Sequence, residues 1–150
     1  MSDVMRQIKD AMDVEIQAEL GSEYKPFAYL ENIQENSFRT SSERYGVRAL
    51  GSGQVPGVTK YFTMTQAFEI VLSKSYTQSA ISDSEQVSKS YDNRENLLAI
   101  YKRLVNTKCG VPSLVMNVTE LLVSEPEYLL EDKVAVQRAT INVTYRVTFL

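Results

Sequence analysis

Residues 138–150, RATINVTYRVTFL, decide what kind of fold this chain makes. Ala139, Ile141, Val143, Tyr145, Val147 and Phe149 alternate with Arg138, Thr140, Asn142, Thr144, Arg146 and Thr148. In an extended chain successive side chains point to opposite faces, so this alternation predicts one long strand with an apolar side and a polar side. The apolar side needs a core. The polar side is unusual: a solvated strand face normally carries Lys and Glu, and this one has threonines, an asparagine and two arginines.

A second stretch behaves the same way. In TKYFTMTQAFEIVLSKSY (59–76), Phe62, Met64, Phe68, Ile70 and Leu72 share one side, and Thr63, Thr65, Glu69 and Ser73 share the other. Threonine suits a pleated surface and pairs well across strands. The two strands therefore pose one question: whether their polar side meets water or another protein surface. Arginine is enriched and Lys and Glu are depleted in protein interfaces, as they are from 138 to 148.

Helical spacing governs two other segments. Val4, Ile8, Met12 and Ile16, broadened by Met5 and Ala11, predict an amphipathic helix over 2–20, with Ser2 as cap, Asp3 in the first turn and Gly21 as the stop. This helix could pack on its own domain or serve as an arm for a partner. DNRENLLAIYKRLVNTKCG (92–110) predicts a second helix, opened by Asp92 and Glu95 at capping-box spacing and ended by Gly110 and Pro112. Its apolar stripe is Leu97, Tyr101, Leu104 and Val105, and Cys109 in the last turn reads as a small packing residue.

Between these elements, YKPFAYLENI (24–33) reads as an edge strand because of Pro26, and QENSFRTSSERYG (34–46) as a long loop. RYGVRAL (44–50) suggests a short strand and GSGQVPG (51–57) turn material. TQSAISDSEQVSKS (77–90) is a polar connection with some helical character. PSLVMNVTELLV (112–123) is a further strand, SEPEYLLEDK (124–133) a loop, and the closing strand is expected to begin near Val134. Strand blocks separated by single helices point to an α+β domain: a mainly antiparallel sheet with an N-terminal and a central helix packed on it. One domain is expected over residues 1–150.

Composition narrows the function. The 150 residues carry 16 Lys and Arg against 19 Asp and Glu, a formal net charge of −3, which disfavours tight nucleic-acid binding by phosphate neutralisation. There is no histidine and one cysteine, so histidine-based triads, histidine metal ligands and CxxC redox chemistry are excluded. No P-loop or GxGxxG spacing is present. We expect no catalytic, metal or cofactor site, no enzyme activity and no cofactor. The opening MSDVMRQIKDAM has no apolar run of signal-peptide type, no stretch is long and apolar enough to span a bilayer, and the lone cysteine suits a reducing cytoplasm.

The segments ERYGVRALGSGQVPGVTKYFTMTQAFEIVLS (43–73) and YDNRENLLAIYKRLV (91–105), followed by the closing strand, resemble the bacteriophage tail terminator, or tail-completion, family. The resemblance is one of layout over most of residues 2–150 and brings no catalytic motif. It implies a structural virion protein of the neck or tail, assembled in the host cytoplasm. Such a protein forms a ring, a hexamer in that family, that caps the tail tube and joins it to the head connector. Its implied partners are its own copies, the tail tube protein and neck or connector proteins, with DNA passing through unread. Alternatives are another head–tail connector (head-completion or adaptor) protein and a small cytoplasmic α+β binding domain. The candidate subunit-interface or lumen face is Arg138, Thr140, Asn142, Thr144, Arg146 and Thr148. Candidate docking loops carry Phe38, Arg39, Arg44, Tyr45 and Tyr128.

Overall fold

A computed structural model describes residues 4–26, 43–55, 61–76, 83–129 and 134–148. The elements run α1 (Val4–Leu20), β1 (Lys25–Pro26), β2 (Arg44–Val55), β3 (Tyr61–Ser75), α2 (Asp83–Thr107), a 3₁₀ turn (Lys108–Gly110), β4 (Met116–Val123), β5 (Glu127–Leu129) and β6 (Val134–Thr148). The strands form one six-stranded sheet in the order β1-β2-β3-β6-β4, with β5 also paired to β6. Every pairing is antiparallel except β1 with β2, which is parallel. The fold is therefore α+β as expected, with a mixed sheet rather than a purely antiparallel one.

Both helices pack on the same side of the sheet. Ile8, Met12 and Ile16 of α1 and Leu97, Ile100 and Leu104 of α2 are fully buried. They meet Tyr45 and Val47 of β2, Phe68, Ile70 and Leu72 of β3, and Ala139, Ile141, Val143 and Tyr145 of β6. The predicted stripe of α1 is thus the buried one, and α1 belongs to its own domain rather than forming a free arm. Burial of a Leu, Ile or Phe side chain contributes about 1.5–3 kcal/mol, so this three-stripe core is the main source of stability. An ion pair fastens the helices to each other: Arg103 Nε donates to Glu15 Oε2 at 2.6 Å, and Arg103 Nη1 lies 3.9 Å from Glu19.

A glycine in the left-handed region follows each helix. Gly21 follows α1 at φ +89, and its amide donates to Gln17 O at 3.0 Å. A left-handed residue after the last turn is a common helix stop, and glycine adopts it without steric penalty. Gly110 ends the 3₁₀ turn at φ +80, where a Cβ would lie 3.1 Å from Ala11 Cβ and 3.2 Å from Ala11 O. The turn after α2 thereby sits directly against α1.

Four expectations are corrected. GSGQVPG is not simply a turn: β2 continues through Gly51, Ser52, Gly53, Gln54 and Val55, paired with β3 across a bulge between Ala49 and Ser52. The buried Gln66 amide donates to Leu50 O at 2.9 Å and Gly51 O at 3.3 Å, meeting carbonyls that the extra residue throws out of the ladder. Helix α2 begins at Asp83 rather than Asp92. Its polar first half is held by tertiary contacts: Asp92 pairs with Lys74 at 3.4 Å, and the fully buried Asn93 donates to Ala135 O at 3.2 Å. Within α2, Ile100 takes the core position in place of Val105, which is exposed. Finally, the segment 124–133 is not all loop, because β5 pairs with the start of β6.

Candidate functional site: the open face of the sheet

The closing strand is the centre of the sheet, not its edge. Along one side β6 pairs with β3 from Val134 to Thr148, and along the other with β5 and then β4. Its backbone groups are largely used within the sheet, so what β6 leaves open is its polar side-chain face.

That face points away from both helices, and no described element packs over its middle. In register across the strands lie Arg48 (β2), Glu69 (β3) and Thr140 (β6), then Thr65 with Thr144 and Thr63 with Arg146. Strand β4 adds Asn117 beside Thr144, Thr119 beside Asn142, and Leu122 beside Thr140. Leu122 is 62% exposed, an apolar side chain in the midst of hydroxyls. The candidate residues Arg138, Thr140, Asn142, Thr144 and Arg146 are therefore brought together on one open surface. Thr148 pairs with Tyr61 at the end of the ladder. At the opposite end this side closes, since Val71, Ser73, Val134 and Val136 are buried.

Charge on the face is arranged in alternation. Arg48 Nε donates to Glu69 Oε1 at 2.8 Å. Arg138 Nη1 lies 3.6 Å from the same oxygen, and Arg138 Nε donates to Glu127 Oε1 at 3.0 Å. The result is a ladder of cation, anion, cation, anion crossing four strands. Arg138 is thus neutralised within its own chain and does not present a free positive charge. The Thr65 and Thr144 hydroxyls are 3.0 Å apart, a cross-strand pair that fixes both rotamers. Thr119 Oγ1 donates weakly to Asn142 O at 3.4 Å. The surface is nearly charge-balanced and carries several internal pairings, suited to packing against another ordered surface and poorly suited to concentrating phosphate.

The docking-loop residues fare differently. Phe38 and Arg39 lie outside the described residues. Arg44 and Tyr45 are in β2, not in a loop: Arg44 Nη1 donates to Pro26 O at 3.4 Å, and Tyr45 is buried with its hydroxyl donating to Gln17 Oε1 at 2.9 Å. Burial, with Asp13 nearby, pushes the Tyr45 phenol above its ordinary value. Tyr128 is a half-buried β5 residue opposite Ala135. Arg44, Tyr45 and Tyr128 are thus strand residues, and the buried Tyr45 cannot dock a partner as it stands. Alternation starting at Tyr45 carries this signal in the sequence, since Tyr45, Val47 and Ala49 take the apolar side and leave Arg48 on the polar one.

Chemistry elsewhere is limited. Cys109 is fully buried, and burial pushes its thiol up to about 12, so thiolate at neutral pH is negligible there. Among the described residues no three carboxylates or cysteines come together as metal ligands. The helix layer has an open groove of about 660 Å³ lined in part by Glu19, Glu95, Leu98, Lys102 and Arg103. No helix is long and apolar enough to cross a membrane among the described residues. No protein-family model matches the chain, and no curated protein is similar to it.

Proposed function

We propose that this protein is a self-assembling structural subunit of a phage tail or neck, of the tail-terminator kind, and that the open face of β3, β6 and β4 is where it meets its neighbour or lines the ring's passage. The observation that carries the reading is the composition and order of that face: paired threonines, a balanced Arg–Glu ladder and an exposed Leu122, on a rigid central strand. A surface whose side chains are already held in place loses little entropy on packing, which favours assembly. Near-neutral charge is compatible with letting DNA pass while holding none of it. A sheet shared between subunits, which the resemblance implies, would run through the outer edge of β4 or β2, because β6 is already paired on both sides.

Two experiments test the reading. Particles assembled without this protein should have tails of uncontrolled length or tails unjoined to heads; normal tails on leaking heads would point instead to a head-completion role. In the purified protein, Thr144→Glu with Arg146→Glu should abolish higher assembly while leaving the circular dichroism spectrum of the folded chain unchanged. Assembly identical to wild type in that double variant overturns the assignment of this face. A wild-type chain that stays monomeric both alone and with tail tubes supports the small binding-domain alternative.

A further inference from the structure

Among the described residues, one side of helix α2 is left largely in solvent, with only Tyr101 on it packing in part against the core. Val87 (39% exposed), Tyr91 (59%), Leu98 (51%) and Val105 (43%) are large apolar residues left in solvent on one helix. Their positions, with exposed Arg94 and half-buried Tyr101, advance by four, three, four, three and four residues along Asp83–Thr107. That is the spacing of a heptad seam, in which alternate steps keep one narrow stripe facing a partner helix. Scattered surface apolar residues are ordinary, but a stripe aligned along about five turns is not scattered.

We propose that this seam pairs with the same seam of a second copy, antiparallel, about a two-fold axis near Asn96. The occupant follows from the order of the residues. Run antiparallel about that point, Val87 faces Val105 of the other copy, Tyr91 faces Tyr101, and Arg94 faces Leu98. The stripe is thus complementary to its own reverse, which an isologous interface requires. The aromatic rings meet in pairs, and the methylene stem of Arg94 lies along Leu98.

Charge selects the direction. Among the described residues neither Arg94 nor Glu95 has an ion-pair partner within its own subunit. In the antiparallel register Arg94 of each copy comes beside Glu95 of the other, so two symmetric ion pairs form at the axis. In a parallel in-register pairing Arg94 would instead stand against Arg94, which is repulsive. The seam lies on the helix layer, across the core from the open sheet face. It therefore joins copies independently of the ring contact and can link two rings or two free subunits. With one helix per copy the buried area is at the small end of specific interfaces, below about 1,200 Å² in total, so the dimer is expected to be weak, roughly in the tens of micromolar.

Cysteine cross-linking in the full chain reads out the register. Val87→Cys and Val105→Cys are made as separate variants; native Cys109 is fully buried. Mixed and mildly oxidised, the two should give covalent dimers at least roughly tenfold above either variant alone, because each position stands about 27 Å from its own copy along the paired helices. Equal cross-linking by the single variants, or none in the mixture, overturns the proposal. Sedimentation equilibrium supplies the second readout: Leu98→Glu, an exposed change, should weaken dimerisation at least roughly tenfold with an unchanged thermal midpoint. Association of Leu98→Glu equal to wild type, or a wild type monomeric at about 200 µM, also overturns it. Failure of the ring reading shows separately, as loss or survival of assembly in the Thr144→Glu, Arg146→Glu variant.

Discussion

The two sides of β6 share a backbone and differ in almost everything else. On the helix side Ala139, Ile141 and Val143 have at most 1% exposure and sit in a continuous core with α1 and α2. On the other side Thr140, Asn142 and Thr144 are half-exposed; Thr144 shares a hydroxyl contact with Thr65, and the ladder from Arg48 to Glu127 runs beside them. The first side secures the fold by excluding water. The second spends little stability and leaves an ordered surface for contact. The lesson is that side-chain order is not always a mark of the core: a polar face on a central strand can be ordered by its own cross-strand partners.

The largest expected break is alkaline. Tyr24 and Cys109 both lie in the core, and burial pushes each up to about 12. For Tyr24 an Asn96 amide donating to the hydroxyl at 3.1 Å acts in the opposite sense, while Glu43, Asp92 and Glu23 add to the rise. Both groups are neutral when protonated and titrate higher in the folded chain than in the unfolded one. The stability they confer is complete below about pH 9 and is lost as pH rises towards 12. Unfolding followed by far-UV circular dichroism should therefore show cooperative loss of structure across that window. Cys109→Ala should move its onset upward, and an onset unchanged in that variant would mean the thiol is not part of the alkaline transition.

Next comes the direct contrast between the sides. Ile141→Ala should lower unfolding free energy by about 2–5 kcal/mol, because it leaves a cavity among buried side chains. Thr140→Ala, one residue away, should change it by less than about 0.5 kcal/mol. Urea denaturation of both variants measures the ratio, and equal effects would show that the open face is covered within the chain itself. Gly110→Ala should cost about 1–3 kcal/mol, since it forces an L residue to φ +80 and drives a Cβ to 3.1 Å from Ala11. The smallest effect belongs to the ladder: Glu69→Gln should destabilise by about 1 kcal/mol or less, and the loss should shrink in high salt. A salt-independent loss would mean that Glu69 acts by packing rather than by charge.

Periodicity made much of this legible without coordinates. The alternation from Arg138 onward and from Phe62 to Leu72 predicts the strands that form, and Ile8, Met12 and Ile16 predict the buried face of α1. Helix α2 shows where local reading stops. Asp92 looks like a cap, yet it sits mid-helix, where it and Asn93 are tied to the sheet through Lys74 and Ala135. Gly51 and Gly53 look like a turn, yet they lie in β2 because Gln66 and the β3 ladder meet their backbone. Glu127 looks like a loop residue, and only the β5–β6 pairing brings it to Arg138.

What the sequence determined by itself is which side of each long element is apolar, because a period of two or of 3.6 is a local property of the chain. It also determined the absence of histidine chemistry, which is a matter of composition. Tertiary structure alone decided that β6 is central, that its two arginines differ in surroundings, with Arg138 neutralised in the ladder, and that α2 turns a heptad stripe outward. Those outcomes depend on which strands pair and in what register, and the groups that settle the pairing are far apart along the chain.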